Sequence, residues 1–189
     1  MKAIQVFCGS SSGENPIFAK AAKDLGQVFI DQNIKLVYGA GNVGLMGIIA
    51  NTMLDQGGIV IGVIPEFLMK KEVGHHGITE LIIVDGMHTR KVEMYKRAQG
   101  TIVLPGGFGT LDELFEMLTL AQLEQHPYPI GILNIDGYFD HLLAQLNRMV
   151  QERFLKDFHR DLLLSASDPI TLLDKMRAFE PLGDKGKWW

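Results

Sequence analysis

The chain has 189 residues, which fits a single domain, and its 18 basic and 22 acidic residues give a net charge of −4. This balance gives no electrostatic reason to expect nucleic acid or an anionic membrane as a partner. Its hydrophobic share of 47% and charged share of 21% are typical of a globular domain and exclude a disordered chain, a collagen-like fibre or a coiled coil. With one cysteine, Cys8, the chain has no internal disulfide.

The sequence also lacks the usual signals for membranes and secretion. No apolar run reaches the ~18 residues that a membrane span needs. The N-terminus does not combine a charged region, an apolar segment and a cleavage site. We therefore expect a cytoplasmic protein without a membrane partner.

Short apolar runs alternate along the chain with longer amphipathic stretches. Continuous apolar runs are typical of parallel strands that are buried on both faces, so the alternation predicts an α/β domain with a parallel sheet. The predicted strands are 3–7, 35–38, 59–64, 80–84, 101–104 and 130–133. The predicted helices are 14–32, 43–57, 88–98, 109–125, 137–153 and 168–178, and residues 70–79 are predicted to form a polar connection.

The first of three glycine-rich loops, Cys8–Gly13, directly follows the first predicted strand. Ligands of parallel sheets bind at the carboxyl ends of the strands, where this loop lies. Its small residues allow close approach of a ligand, and its three serine hydroxyls offer hydrogen bonds. The alternative is a turn in which a serine or Asn15 caps the next helix. Cys8 itself is predicted to be a small buried residue and not a nucleophile.

The second loop, Gly39–Gly47, matches G-x-G-x-x-G between a strand and a helix. A dinucleotide site also needs an acidic residue at the end of the following strand. Glu66 stands near that position, but Pro65 precedes it and disturbs the geometry. The alternative is a glycine turn that packs the helix close to the sheet and contacts a mononucleotide.

The third loop, Pro105–Glu113, places glycines at the start of a predicted helix. Uncovered N–H groups and the helix dipole make such a helix start an anion site, and phosphate is its usual ligand. The lysine of an NTPase loop is absent. Thr110 and Glu113 also have the spacing of a capping box, in which both would only stabilise the helix. The sequence leaves open whether Glu113 is a catalytic or a capping carboxylate.

A fourth segment, Met87–Lys91, places Arg90 and Lys91 together at a helix start. Positive charge is unfavourable there, which indicates that an anion binds nearby; the alternative is a solvated basic face. Arg90 is the favoured functional residue because its planar guanidinium suits phosphate or carboxylate. The pair His75–His76 has no third ligand at matching spacing, so no metal site is predicted.

Two of these segments together resemble a known family. Residues 105–113 resemble P-G-G-x-G-T-x-x-E, and residues 87–91 resemble M-H-x-R-K. With Gly41–Gly47 and Cys8–Ser11 they resemble the LONELY GUY (LOG) family of cytokinin riboside 5′-monophosphate phosphoribohydrolases, to about residue 178. The resemblance implies a Rossmann-like α/β fold, with a doubly wound parallel sheet and helices on both faces. It also implies a single domain over residues 1–180, a C-terminal tail over 181–189, and a homodimer or larger homo-oligomer.

The resemblance further implies hydrolysis of the N-glycosidic bond of a purine nucleoside 5′-monophosphate, AMP included, to free base and ribose 5-phosphate. No metal or other cofactor is implied. Arg90 and Glu113 would be the catalytic pair. The implied substrate-binding positions are Ser10, Gly44, Glu72, Met87, Arg90, Lys91, Gly107, Phe108, Gly109, Thr110, Leu111, Asp112, Glu113 and Thr119.

This chemistry is consistent with the residues. Glycosidic cleavage develops positive charge on the sugar, and a nearby carboxylate stabilises that charge and activates water. Glu113 lies about one helical turn from the predicted phosphate loop, while Arg90 would bind either the phosphate or the departing base. Two other hypotheses remain: a nucleotide or cofactor carrier, since the sequence faintly resembles molybdenum-cofactor carriers, and a dinucleotide enzyme that rests on Gly39–Gly44 alone.

Overall fold

Seven parallel strands form one sheet in the computed structural model, which describes residues 1–71 and 74–183. Glu72 and the terminal pair Trp188–Trp189, both singled out from the sequence, lie outside the described residues. The sheet has the order β4-β3-β2-β1-β5-β6-β7. Its strands are β1 (Ala3–Phe7), β2 (Lys35–Tyr38), β3 (Val60–Pro65), β4 (Glu80–Val84), β5 (Thr101–Val103), β6 (Ile130–Leu133) and β7 (Leu163–Ala166).

Helices connect the strands, and each of the six predicted helices and six predicted strands is present with ends shifted by up to three residues. The helix α1 begins at Pro16 after Asn15, whose side chain accepts a hydrogen bond from the Ile17 amide at 3.1 Å. The capping role considered for Asn15 is therefore confirmed. The helices are α1 (Pro16–Asp31), α2 (Gly44–Leu54), α3 (Glu66–Lys71), α4 (Met87–Arg97), α5 (Phe108–Gln122), α6 (Asp140–Gln151), α7 (Asp157–Arg160) and α8 (Pro169–Arg177), with a 3-10 turn at Ile135–Gly137.

Three short elements, α3, α7 and β7, were not predicted. The predicted connection over 70–79 is wrong at its start, because α3 continues to Lys71. The strand β7 is only four residues long, and its sequence Leu-Leu-Ser-Ala lacks the β-branched or aromatic residues that mark strands. These elements owe their structure to neighbours in the fold more than to local sequence.

Two apolar cores lie on opposite faces of the sheet. Ile4 and Val6 of β1 pack with α1, α2 and α8, while Ala3 and Phe7 pack with α4, α5 and α6. Because successive side chains of a strand point to opposite faces, burial of both faces explains the continuous apolar runs in the sequence. The predicted class, a doubly wound parallel sheet with helices on both faces, is confirmed.

The strand β4 is an exception to the predicted two-sided burial. It lies at the edge of the sheet, where only β3 pairs with it, and Ile83 is 56% exposed. An edge strand lacks neighbours on one side, so its apolar residues have fewer groups to pack against.

The order of the strands creates a crevice at the centre of the sheet. From β1 the chain proceeds outward through β2, β3 and β4, and then returns to place β5 on the other side of β1. The helices α1 and α5, which follow β1 and β5, therefore lie on opposite faces of the sheet and leave a crevice at the adjacent loops, where open α/β sheets bind ligands. The Gly9 amide donates to the Pro105 carbonyl at 3.0 Å and joins these two loops. Across residues 1–71 and 74–183, no helix is long and apolar enough to span a membrane.

Candidate active site

A cavity of about 320 Å³ opens at the carboxyl ends of β1, β2 and β3, beside the N-terminus of α5. A neighbouring cavity of about 350 Å³ shares Gly9, Ser10 and Gly107 with it and extends along the serine loop. The first cavity therefore brings together residues from the three predicted loops and from the Met87–Lys91 segment. Its lining residues are Cys8, Gly9, Ser10, Gly39, Gly41, Met46, Ile64, Leu68, Arg90, Gly107, Phe108, Gly109, Thr110 and Glu113.

Arg90 lies in the wall of this cavity with only 8% of its surface exposed. Its Nε donates to the Val63 carbonyl at 3.1 Å, and its Nη2 donates to the Gly39 carbonyl at 3.2 Å. Its Nη1 lies 3.7 Å from the Glu113 Oε1 and 3.9 Å from the Met87 sulfur. Backbone carbonyls near the ends of β2 and β3 thus fix the guanidinium, and its charge faces Glu113.

Glu113 is buried on the side of α5 that faces the sheet. Burial raises the pKa of Glu113 to about 7, although the positive charges of Arg90 and Lys91 oppose this rise. The carboxyl group therefore changes protonation state close to neutral pH, which suits a group that exchanges protons with a substrate or water.

Cys8 lies close to this carboxyl group. Burial raises the pKa of the Cys8 thiol well above its usual range, and the charge of Glu113 raises it further. A thiol is a nucleophile only as the thiolate, so Cys8 serves as a neutral part of the cavity wall. The predicted role of a small buried residue is confirmed.

The capping box considered for Thr110 and Glu113 is not formed. Helix α5 begins at Phe108 with Gly107 as its N-cap and without a side-chain cap, so Thr110 is the third helical residue. The first amides of a helix have no carbonyl in a preceding turn to bond. A Cβ atom at Gly107 or Gly109 would meet nothing within 4 Å, so there is open space beside these two glycines. The start of α5 thus combines open space with amides that have no intrahelical partner, and Glu113 is not used as a cap.

Other groups of the protein occupy the space beside two glycines of the G-x-G-x-x-G loop. A side chain at Gly39 would overlap the Arg90 guanidinium, and one at Gly44 would overlap the Ser10 backbone. Gly44 also has φ +58, which favours glycine, and the next amide, of Leu45, donates to the Gly9 carbonyl at 3.1 Å. The close packing of the glycine turn is therefore confirmed, and these two glycines are explained without a dinucleotide.

Lys91 points away from the cavity, between α4 and α5. Its Nζ forms ion pairs with Glu116 and, at 2.7 Å, with Asp112. Burial lowers the pKa of Lys91, but the hydrogen bonds that its ammonium donates to these two carboxylates raise it by more. The protein's own carboxylates thus offset the charge of Lys91, and substrate binding by Lys91 and Asp112 stays a prediction.

Two further predicted positions lie away from the cavity. Leu111 packs into the core behind α5. Thr119 is exposed and donates to the Phe115 carbonyl at 2.7 Å, beside a separate apolar cavity of about 210 Å³. Ser10 and Gly107 to Thr110 line the cavity, and Met87 lies beside it through its contact with Arg90.

Three apolar residues of the cavity wall, Met46, Ile64 and Leu68, were not predicted as site residues. Ile64 is near the carboxyl end of β3, and the other two lie in helices that follow β2 and β3. Their positions close to the carboxyl ends of strands could have indicated site residues, but apolar residues at such positions are also typical of the core. They offer an apolar surface that suits a flat aromatic base.

The two histidines considered for metal do not form such a site. The His75 Nε2 lies 2.8 Å from the Asn51 Oδ1, and its Nδ1 accepts a hydrogen bond from the Gly77 amide at 3.2 Å. Both ring nitrogens are thus engaged by protein groups. No group of three metal-ligating side chains occurs among the residues that the structure describes.

Comparison with known proteins agrees with the resemblance of the sequence motifs. A family model described as "Possible lysine decarboxylase" matches residues 46–176. The chain is 41% identical over 191 residues to cytokinin riboside 5′-monophosphate phosphoribohydrolase LOG5 of Arabidopsis thaliana, covering 99% of this chain and 84% of the relative. It is 47% identical over 176 residues to the probable cytokinin riboside 5′-monophosphate phosphoribohydrolase LOGL1 of Oryza sativa subsp. japonica, covering 93% and 79%.

Among solved structures, the fold is similar to that of the molybdenum cofactor binding protein from the phototrophic bacterium Rippkaea orientalis. The TM-score is 0.68, with 93% of this chain and 95% of that chain covered and 23% identity. At this identity the similarity extends to the fold alone, so it does not favour the carrier hypothesis.

Proposed function

Since this chain belongs to the LOG family, we propose that it hydrolyses the N-glycosidic bond of a purine nucleoside 5′-monophosphate. The products are the free base and ribose 5-phosphate, and the substrates are cytokinin riboside monophosphates and AMP. The single observation that carries this proposal is the buried Arg90–Glu113 pair, at 3.7 Å, in the same cavity as the open start of α5.

The cavity supports one orientation of the nucleotide. The 5′-phosphate binds the free amides of Gly107, Phe108, Gly109 and Thr110, with the Ser10 loop beside it. Glu113 is six residues further along α5, which at 1.5 Å per residue is about 9 Å from Gly107. The ribose bridges this distance, so its glycosidic bond lies near Glu113 and the base reaches the apolar wall.

The same geometry favours one of the two roles considered for Arg90. The guanidinium faces Glu113 and the carboxyl ends of β2 and β3, not the start of α5. We assign it to the region of the glycosidic bond, where its charge stabilises the electron density that the departing base takes up. The glycine loop holds the phosphate without an arginine.

The step is a hydrolysis. Glu113, as the carboxylate, stabilises the positive charge that develops on the sugar and accepts a proton from water as the water oxygen bonds to the anomeric carbon. The bond between that carbon and the base nitrogen breaks, the nitrogen takes up a proton from solvent, and Glu113 returns to solvent the proton that it accepted. One water molecule is consumed, and no other reactant is needed.

Lysine decarboxylation, which the family model's description names, has less support. Decarboxylation through a Schiff base requires an active-site lysine. None of the described residues that line the cavity is a lysine, and Lys91 is engaged by Asp112 and Glu116.

The protein is further proposed to act in the cytoplasm, where nucleotides occur, and as a homodimer. The support for a dimer is an exposed stripe on α5, where Phe108 is 94% and Phe115 37% exposed at a spacing of two helical turns. Light scattering should measure a particle mass twice that of one chain, and Phe115→Glu should lower this mass. A measured mass equal to that of one chain for the unmodified protein would contradict the dimer.

The proposed activity is tested by incubating the protein with AMP and with isopentenyladenosine monophosphate, without added metal. Chromatography should detect free base and ribose 5-phosphate in equal amounts, and the ratio of rates identifies the preferred base. Binding of both nucleotides without release of base would contradict hydrolysis and favour a carrier.

A further inference from the structure

A tight turn after β6 carries an aromatic side chain towards the phosphate loop. Asp136 and Gly137 both adopt positive φ, at 52° and 68°. The Asn15 side chain donates to the Asp136 carboxylate at 3.2 Å, and the Asn134 side chain accepts from the Phe139 amide at 2.8 Å. These bonds fix the turn between the start of α1 and the start of α6, and the residue that the turn presents is Tyr138.

Tyr138 makes a hydrogen bond across 32 positions of sequence. Its hydroxyl donates to the Gly106 carbonyl at 2.6 Å. Its ring packs edge-on against Phe18 and Phe139, with centroids 5.6 and 5.0 Å away. The ring is thereby held in place although it lies at the surface, in the wall of the 350 Å³ cavity.

This bond determines the direction of an amide in the proposed phosphate site. The Gly106 carbonyl and the Gly107 N–H belong to one peptide unit, which is planar and trans, so they point in opposite directions. Neither residue has a side chain, so the backbone dihedrals on both sides of this peptide are less restricted than those of other residues. A Cβ atom would meet nothing within 4 Å at Gly107 but would clash with Thr110 and the Gly9 amide at Gly106, so packing restrains the peptide on the Gly106 side only.

We propose that Tyr138 is a positioning residue for the substrate phosphate. By holding the Gly106 carbonyl, it directs the Gly107 N–H away from itself and towards the phosphate at the start of α5. This inference rests on the proposed function, because it needs a phosphate at that position. It predicts a role in binding phosphate and none in breaking the glycosidic bond.

The test compares Tyr138→Phe with the control Tyr128→Phe. Tyr128 precedes β6 and so lies near the amino ends of the strands, away from the site. Calorimetry gives the Kd of ribose 5-phosphate, AMP and adenosine, which lacks the phosphate. Tyr138→Phe should raise the Kd of ribose 5-phosphate and of AMP roughly tenfold, because one directed hydrogen bond is lost, and should leave the Kd of adenosine unchanged. The KM for AMP should rise similarly, while kcat stays within about twofold and Tyr128→Phe behaves like the unmodified protein.

Other outcomes overturn the inference in distinguishable ways. Equal Kd values for ribose 5-phosphate before and after Tyr138→Phe would show that the tyrosine does not position the amide. Equal weakening of AMP and adenosine would show a general structural effect. Failure of the unmodified protein to bind ribose 5-phosphate or AMP would contradict the phosphate site itself, and with it the proposed function. Melting curves confirm that each variant is folded.

Discussion

At the scale of single residues, Glu113 is held in an environment that opposes its charge. Burial raises its pKa to about 7, and Arg90 and Lys91 offset only part of this effect. The sequence identified Glu113 and Arg90 through the resemblance of their motifs. It could not separate catalysis from capping, because the distinction depends on whether α5 starts at Phe108 or three residues later, at Leu111.

The pH dependence of turnover follows from this pKa. If Glu113 acts as the carboxylate, kcat should rise with pH and reach half its plateau near pH 7, because protonated Glu113 cannot accept a proton from water. Rates of base release from AMP across about pH 5 to 9 give the profile. A rate that falls as pH rises through this range would contradict the role of Glu113 as a base.

The same residue should reduce stability at high pH. Its folded pKa lies above the ordinary 4.5, so the folded protein binds the proton more tightly, and stability falls as pH rises from 4.5 through about 7. Glu113→Gln removes this loss and should stabilise the protein by on the order of 3 kcal/mol above pH 7, with little effect near pH 4.5. Urea unfolding at both ends of this range measures the difference. An increase in the free energy of unfolding that does not depend on pH would exclude the ionisation of Glu113 as its cause.

At the scale of elements, the site depends on how α4 packs against the ends of β2 and β3. Strand and helix positions were predictable because apolar runs and glycine loops are local signals. The contact of the Arg90 guanidinium with the Gly39 carbonyl was not predictable, since it joins positions 51 residues apart. This contact explains why position 39 is a glycine: a side chain there would overlap the guanidinium, which the G-x-G pattern alone does not indicate.

Gly39→Ala tests this packing. The added methyl group would overlap the guanidinium, so Arg90 must move and lose its bond to the carbonyl. We expect kcat to fall by about 100-fold, on the scale of losing one transition-state contact. The control is Gly86→Ala, which precedes the same helix and whose Cβ would meet nothing within 4 Å. Equal activities of the two variants, both shown to be folded by circular dichroism, would argue against the importance of this contact.

At the scale of the whole molecule, the order of the strands decides where the site forms. The alternation of elements predicts a parallel sheet, but strand order depends on long-range pairing that a single sequence does not encode in local patterns. Placement of β5 beside β1 brings the loops after both strands together. The glycine loop after β2 shows the same limit, because its packing against Ser10 and Arg90 joins distant parts of the chain that the G-x-G-x-x-G pattern does not specify.

His126 should make the fold sensitive to acid. It is buried between Tyr95 and Tyr128, and its Nε2 has no hydrogen-bond partner among the described residues. Burial lowers the pKa of His126 from 6.5 to about 4, so the histidine's contribution to stability is present above pH 6.5 and lost as pH falls towards 4. The loss is roughly 2–3 kcal/mol.

His126→Phe keeps the aromatic packing and removes the titration. We expect its free energy of unfolding to fall less than that of the unmodified protein between about pH 6.5 and 4. Parallel acid dependence of the two proteins in urea unfolding would show that His126 is not responsible.

The most direct test of the proposed activity is the turnover of Glu113→Gln with AMP, measured together with AMP binding. Glutamine keeps the shape and removes the charge, so we predict normal nucleotide binding and a loss of base release by at least about 1,000-fold. The surface variant Glu152→Gln, whose carboxylate pairs with Arg148 at 2.6 Å on α6, should retain full activity. Undiminished release of adenine by Glu113→Gln would contradict the assignment of the catalytic carboxylate.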